Sequence, residues 1–200
     1  MTSTIRRGRP PGTSGRRLEL VALGLFSEQG FEHTTVDQIA AAVGVSRRTF
    51  FRYFDSKPDV LWHGFEREVA AIRAALAQTT PEAGIMTSIR RAVMAVNHTR
   101  TQDEPELRQR IRLLTSTPDL IASAALRYDT WERAISDFVA ARTGQPADSI
   151  HPLTVGRATL AACRAAYECW IQQYEIPLTT YLESALRALE SGFADDAIGG

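Results

Sequence analysis

The chain has 200 residues, 44% of them hydrophobic, and its 23 basic and 23 acidic side chains give no net charge. This length suits one domain, or one compact domain with a small head, with a sizeable core. No apolar run reaches the roughly 18 residues that a membrane helix needs, and the basic start of the chain lacks the apolar segment of a secretory signal. We therefore expect a cytoplasmic protein that does not enter a membrane.

The charges are unevenly distributed along the chain. Residues 1–60 carry nine basic and six acidic side chains, whereas residues 61–200 carry fourteen and seventeen. A basic head on an acidic body is expected when only the head touches phosphate. Residues 1–13 lack apolar periodicity and are interpreted as a flexible basic arm. The arginines of this arm are Arg6, Arg7 and Arg9. They either contact the minor groove or phosphates of DNA, or they belong to a disordered tail without a function.

The first three predicted helices follow one another closely along the sequence. An apolar face at helical spacing from Leu18 to Phe26 predicts the first, which should end at Gly30 as a left-handed residue. Thr35 opens the second helix with a capping box, and Gly44 ends it. Ser46 then caps a third helix after a turn of two residues. Two short helices joined by a tight turn with glycine are typical of a helix-turn-helix, here at about 36–54.

The remaining pattern is helical, with no strand-like alternation. Ser56, with Asp59 at the capping-box position, is expected to open a long fourth helix that runs to about Leu76. Five further helices are predicted at about 85–96, 105–114, 117–144, 149–174 and 177–193. The fold class is therefore all-α, with about nine helices and a frayed tail at 195–200.

The third helix carries the side chains that indicate DNA binding. In a helix-turn-helix, the second helix of the pair lies in the major groove and its N-terminal residues reach base edges. That helix begins with Ser46, Arg47, Arg48 and Thr49, and arginine can grip guanine while threonine can contact a base. A solvated charged face is the alternative interpretation. Further side chains are candidates for phosphate contact: Thr34, Thr35, Arg52, Tyr53 and Lys57.

Residues 14–76 resemble the DNA-binding head of the TetR family of repressors, through the run TTVDQIAAAVGVSRRTFFRYFDSK. The family usually has glycine at position 48, an aliphatic residue at 50 and often tyrosine at 51. Phe51 lacks the hydroxyl of that tyrosine and with it one usual phosphate contact. The resemblance implies a DNA-binding domain at 14–76 and a ligand-binding and dimerisation bundle at 77–194. It also implies a double-stranded DNA operator and a homodimer.

A narrower resemblance covers the second half of the chain. The runs RRTFFRYF, ALRYDTWERAISDFVAARTG and AAYECW resemble regulators found in actinobacteria with the biosynthesis of mycofactocin, a peptide-derived redox cofactor. Regulators of that group are thought to respond to acyl-CoA. The resemblance therefore implies a long-chain acyl-CoA as a candidate effector.

Aromatic and methionine side chains crowd the second half of the chain. Such side chains at helical spacing also occur in an ordinary hydrophobic core, which is the alternative interpretation. So many amphipathic rings in one bundle are also consistent with a pocket for a small, largely apolar effector. Arginines at its edge would suit an acyl chain with a phosphorylated head. The candidates are Met86, Met94, Tyr128, Trp131, Tyr167, Trp170 and Arg112.

The last two helices are the candidate dimer face that the resemblance implies. Small residues would let the eighth helix approach a partner closely, and the ninth has an apolar face. An isologous interface would present two heads about 34–36 Å apart to successive major grooves. The candidates are Ala158, Ala162, Ala165, Ala166, Tyr181, Leu186 and Leu189.

Catalysis and metal binding lack their usual motifs. The four histidines stand singly, and no nucleophile with a base and no phosphate loop is recognisable. Cys163 and Cys169 are expected to be buried free thiols. The sequence thus predicts no enzyme, no metal and no cofactor. A helical adaptor that does not bind DNA would leave the run from Ser46 to Thr49 unexplained.

Overall fold

A computed structural model of the chain describes residues 14–98, 104–173 and 175–192, and all regular elements within these ranges are helical. The predicted all-α class is confirmed. Arg6, Arg7, Arg9 and the tail at 195–200 lie outside the described residues. No helix within the three ranges is long and apolar enough to cross a membrane. The chain divides into two compact units between His63 and Gly64.

The first unit contains three α-helices and one 3₁₀ helix around a small core. Leu18 and Phe26 of the first helix, Ile39 of the second and Phe50 of the third are almost fully buried. Phe54 follows in the core one turn after Phe50, and their ring centres lie 5.5 Å apart. The elements are α1 (Gly15–Gln29), α2 (Val36–Val43), α3 (Arg47–Phe50) and the 3₁₀ helix (Pro58–Trp62).

Local side-chain bonds fix the turn between α2 and α3. The hydroxyl of Thr35 accepts from the backbone N–H of Gln38 at 3.2 Å, and the Gln38 side chain accepts from the Thr35 N–H at 2.7 Å. Gly44 ends α2 with φ +76° in the left-handed region, which glycine adopts without steric cost. Ser46 then caps α3 by accepting from the Thr49 N–H at 3.1 Å. The predicted capping box and helix-turn-helix are confirmed.

The end of α1 differs from the prediction in its backbone. Gly30 has a positive φ of 87°, but its ψ of 150° lies outside the left-handed region. Its N–H bonds the Phe26 carbonyl, and the Phe31 ring still packs edge-on against Phe26, with ring centres 5.0 Å apart. The prediction of a left-handed Gly30 was therefore wrong, although the apolar contact of Phe31 with Phe26 is present.

The prediction of one long helix from Ser56 to Leu76 was also wrong. Ser56 donates to the Asp59 carboxylate at 2.7 Å and does not cap a helix. The 3₁₀ helix stops at Trp62, and α4 (Phe65–Ala77) begins only after Gly64, whose φ of +84° ends the preceding turn. Helix α4 belongs to the second unit because its apolar face is buried in that core. The division at 63/64 therefore precedes the boundary expected at 76/77.

The second unit is a helical bundle. Besides α4, its helices are α5 (Ile85–His98), α6 (Glu104–Ser116), α7 (Pro118–Thr143), α8 (Ile150–Trp170) and α9 (Leu178–Glu190). Helix α7 packs against α8 and α8 against α9, while α5 contacts α4 and α9. The core includes Trp170, Ile89, Ile135 and Leu182, which are all fully buried.

Candidate functional site

The first turn of α3 presents polar side chains to solvent. Ser46, Arg47 and Arg48 are exposed and Thr49 is half-buried. Phe50, the last residue of this short helix, is fully buried and anchors it in the core. The hydroxyls of Ser46 and Thr49 lie 3.0 Å apart. The predicted reading residues therefore share one exposed surface.

The two arginines of this turn have different surroundings. Arg47 Nη1 donates to the Asp37 carboxylate at 2.9 Å, and its guanidinium lies 5.3 Å from the centre of the Phe51 ring. Arg48 has no ion pair within the described residues. Its guanidinium is therefore held by neither an acidic nor an aromatic neighbour there.

Arg52 and Tyr53 extend the exposed surface beyond α3. Both are exposed, and Arg52 Nη2 donates to the Tyr53 hydroxyl at 3.3 Å while its guanidinium lies 5.1 Å from the ring centre. Neither contact withdraws the pair from solvent. Both side chains are placed where a phosphate could approach them.

Thr34 does not belong to this surface. Thr34 is 1% exposed, and its hydroxyl donates to the Gly30 carbonyl at 2.8 Å. A phosphate contact by this side chain was therefore a wrong prediction, because the hydroxyl is used inside the fold. Thr35 is exposed, but its hydroxyl already donates to the Gln38 side chain at 3.0 Å within the capping box.

Lys57 ties down the loop between α1 and α2. Its ammonium donates to the carbonyls of Phe31 at 2.7 Å and Thr34 at 3.0 Å, and lies 4.1 Å from the centre of the Phe31 ring. An ammonium has three N–H donors. Two of them are used within the fold, which leaves one for a phosphate.

The predicted effector residues gather in one region of the second unit. Trp131 and Trp170 belong to its buried core, and four partly buried side chains pack against the same core: Met86, Met94, Tyr128 and Tyr167. Arg112 instead lies at the surface, where its Nη2 donates to the Ile171 carbonyl at 3.1 Å. The aromatic and methionine candidates are thus neighbours of a single core.

Polar groups that we did not predict lie within this core. The Tyr167 hydroxyl donates to Asn97 Oδ1 at 2.9 Å, and Asn97 Nδ2 donates to the Val93 carbonyl. Trp170 Nε1 and the Ser88 hydroxyl are buried without a hydrogen-bond partner among the described residues. A polar residue on an otherwise apolar stripe, as Ser88 and Asn97 are on α5, was the available sequence signal.

Burial perturbs two side chains near this region. It raises the pKa of the Tyr128 hydroxyl above its usual value, since the charged form loses water. Burial also raises the pKa of the Cys163 thiol to about 12, with a smaller contribution from the Glu68 carboxylate. Cys163 is buried as expected, whereas Cys169 is exposed, so its predicted burial was wrong.

The candidate dimer residues fall into two groups. Ala166 and Leu186 are 3% and 0% exposed within their own bundle. Their assignment to a partner-facing surface was wrong, because each points into the core of its own unit. Ala165 is exposed, and four others are partly exposed on α8 and α9: Ala158, Ala162, Tyr181 and Leu189.

Two family profiles match the chain. The family described as "Bacterial regulatory proteins, tetR family" matches residues 20–61, and the "MftR C-terminal domain" matches residues 83–194. The chain is 34% identical over 190 residues, 94% of each protein, to the protein of Mycobacterium tuberculosis named as the mycofactocin biosynthesis transcriptional regulator MftR. It is 32% identical over 185 residues, 87% of this chain and 82% of the other, to the HTH-type transcriptional regulator TcmR of Streptomyces glaucescens.

Solved structures of similar fold are transcriptional regulators as well. The TetR-family repressor FadR of Thermus thermophilus, in complex with lauroyl-CoA, is 21% identical with a TM-score of 0.60 over 90% of this chain and 95% of that one. The fatty acid degradation regulator FadR of Bacillus halodurans is 16% identical with a TM-score of 0.66 over 92% and 98%. These two likenesses concern the fold, and the family follows from the sequence matches. The chain belongs to the TetR family of bacterial transcriptional regulators and carries a C-terminal domain of the MftR type.

Proposed function

We propose that this TetR-family regulator is a homodimeric repressor that binds operator DNA through α3 and is released by a small, largely apolar effector. The observation that carries the proposal is the exposed first turn of α3, which presents Arg47 and Arg48 beside Ser46 and Thr49. Residues 14–63 would read DNA, and residues 64–194 would dimerise and sense. The expected location is the cytoplasm, where operator DNA lies, and the activity is binding, with no enzymatic step.

The roles of the DNA-facing side chains follow from their chemistry. Arg47 and Arg48 can offer paired N–H donors to guanine O6 and N7, and Thr49 can contact a base. Arg52, Tyr53 and the remaining N–H of Lys57 would contact phosphates, which position the protein without reading sequence. Ser46 and Thr35 contribute mainly by capping the helices that carry the readers. In the basic arm, Arg6, Arg7 and Arg9 would add minor-groove or phosphate contacts.

The effector would enter the core of the second unit. Supporting this are the clustered Met86, Met94, Tyr128 and Tyr167 around Trp131 and Trp170, and the buried Trp170 Nε1 without a partner in the described part of the chain. A mostly apolar lining with few polar groups is typical of ligand sites. Because a structural neighbour was crystallised with lauroyl-CoA, a long-chain acyl-CoA is the first candidate, with Arg112 placed at the surface for a phosphorylated head.

The dimer would form through the exposed sides of α8 and α9. With Ala166 and Leu186 withdrawn into the core, Ala158, Ala162 and Ala165 remain on α8, and Tyr181 and Leu189 remain on α9. Small side chains on α8 allow close approach of a partner helix. A two-fold interface of this kind would present both heads to the same face of the DNA.

The test is a gel shift of the full-length chain on the DNA that adjoins its own gene, titrated with salt. We expect binding that weakens steeply as salt rises, because released counterions drive it. The double variant Arg47→Ala/Arg48→Ala should lose the preference for this DNA over a random duplex. Equal affinity of the unaltered protein for both duplexes would contradict the proposal.

A further inference from the structure

We propose that Asp37 is a positioning residue that orients Arg47 for reading a base, so that this pair sets one base preference of the operator. The inference rests on the proposed DNA-binding function and deepens it. Asp37 lies in the first turn of α2, and Arg47 is the first residue of α3. Their ion pair therefore joins the two helices of the helix-turn-helix across its outer surface.

Two neighbours contact the Arg47 guanidinium. The Asp37 carboxylate accepts from Nη1 at 2.9 Å, and the Phe51 ring centre lies 5.3 Å from the guanidinium carbon. Phe51 is itself fixed edge-on against the buried Phe50, with ring centres 5.4 Å apart. A rigid core residue thus supports the ring that supports the arginine.

The ion pair has little to contribute to folding stability. The side chains of Arg47 and Asp37 are 59% and 64% exposed, and exposed pairs of this kind add little because water screens them. The consequence of the pair is therefore the direction of the Arg47 side chain. Asp37 uses one of the five guanidinium N–H groups, which leaves others for the paired acceptors of guanine.

Asp37 also places a negative charge on a surface that must approach phosphates. That charge opposes nonspecific attraction to DNA, so its effect on general affinity is unfavourable. A pre-oriented arginine avoids an ordering cost that otherwise weakens binding by about two- to tenfold for each long side chain. Arg48 in the same turn has no ion pair among the described residues, so Arg47 is the arginine prepared for one geometry.

The experiment selects preferred sequences from a randomised duplex library with the full-length chain, and repeats the selection with Asp37→Asn. We expect discrimination at one base position to fall by about two- to tenfold. Affinity for a random duplex should stay equal or increase, because the repulsive charge is gone. A merely stabilising role for Asp37 would not produce this opposite behaviour of the two affinities.

Two controls separate positioning from charge. Asp55→Asn removes an exposed carboxylate of the same unit that makes no ion pair in the described ranges, and it should leave base discrimination unchanged. Asp37→Asn in an Arg47→Ala background should produce no further loss, since Asp37 acts through Arg47. Thermal melts of each variant verify that the fold is retained.

Three outcomes would overturn the inference. Unchanged discrimination in Asp37→Asn means that the pair does not set a preference. An equal weakening on selected and random duplexes means that the variant damages the head in general, and a further loss in the Arg47→Ala background means that Asp37 reads a base itself. If the unaltered chain selects no sequence, the proposed function fails and the inference fails with it.

Discussion

The guanidinium of Arg108 on α6 lies 3.9 Å from the centre of the Trp170 ring at the end of α8. Arg108 is buried, and its Nη1 donates to the carbonyl oxygens of Trp170 and Gln173, the latter at 2.9 Å. Arg112, one turn later, donates to the Ile171 carbonyl. A helix leaves its last carbonyls without partners and favours positive charge there. Two arginines of α6 therefore cap the C-terminus of α8.

We predict that Arg108→Ala lowers the free energy of unfolding by about 1.5–3 kcal/mol, because the buried carbonyl of Trp170 loses a charged donor. Urea unfolding of the full-length chain measures this loss. The matched control is Arg133→Ala, whose exposed guanidinium lies 3.7 Å from the Asp129 carboxylate. That change should stay within about 0.5 kcal/mol. Equal losses in the two variants would contradict a capping role for Arg108.

Substitution by alanine should have opposite effects on the free energy of unfolding at two helical glycines. A Cβ at Gly156 would lie 2.5 Å from Ser136 Oγ and 2.8 Å from the Glu132 carbonyl oxygen, where α8 packs against α7. We expect Gly156→Ala to lower the free energy of unfolding by about 1–3 kcal/mol through overpacking. A Cβ at Gly24 would meet nothing within 4 Å, so Gly24→Ala should stabilise by about 0.5–1 kcal/mol through helix propensity. A neutral Gly156→Ala in the same unfolding assay would show that α7 and α8 can separate at no cost.

The helix-turn-helix could be predicted from the sequence because local contacts determine it. The capping box of Thr35, the left-handed Gly44 and the Ser46 cap each involve residues within a few positions of one another. Composition and periodicity were likewise sufficient for the all-α class. Where partners are close in sequence, residue types at fixed spacing carry enough information.

Burial and tertiary contacts determine the features that could not be predicted from the sequence. Leu61, Phe65 and Val69 keep a spacing of four across the break at Gly64, so periodicity alone conceals it. Thr34 is a polar residue beside a DNA-binding motif, yet it is buried and its hydroxyl donates to the Gly30 carbonyl. Lys57 uses two of its three donors on backbone carbonyls 26 and 23 positions earlier in the chain. Which side of α8 or α9 faces the core depends on packing, as Ala166 and Leu186 show.

The two cysteines should react at very different rates. Cys169 is exposed, whereas Cys163 is buried and its thiol has a pKa raised to about 12 by burial. The thiolate is the nucleophile, so at neutral pH an alkylating reagent should modify Cys169 and spare Cys163. Mass spectrometry of the digested chain identifies the modified site, and denaturant should expose both thiols. Rapid native modification of Cys163 would show that the core opens around α8.

Lys57 should contribute more to the stability of the head than to DNA affinity. Lys57→Met keeps the apolar stem but removes the donors to Phe31 and Thr34, so we expect a loss of about 1.5–3 kcal/mol in the first unit. Hydrogen exchange of the α2 amides measures it. Arg52→Ala is the contrasting variant, since Arg52 is exposed and its guanidinium donates to the hydroxyl of its exposed neighbour Tyr53 rather than to the backbone of the fold.

Arg52→Ala should leave α2 exchange unchanged and weaken selected and random duplexes alike, with the logarithmic salt slope reduced by about 1. Normal exchange of the α2 amides in Lys57→Met would contradict the stabilising role of Lys57, and a normal salt slope in Arg52→Ala would contradict a phosphate contact by Arg52.

Effector and operator should weaken each other by the same factor. A ligand that fills the core of the second unit can release DNA only if it binds the DNA-free conformation more tightly, since equal affinity for both conformations shifts nothing. Coupling of this kind typically changes affinity by about 5- to 150-fold, and linkage requires it to be reciprocal. We therefore expect lauroyl-CoA to bind the full-length chain more weakly when the selected operator duplex is present.

Calorimetric titration with and without the duplex measures the factor by which the two ligands weaken each other. Coenzyme A without an acyl chain is the matched control, because it retains the phosphorylated head but lacks the apolar part. Tight lauroyl-CoA binding with the same affinity in both conditions would contradict the release mechanism, even if the acyl chain occupies the core around Trp131 and Trp170.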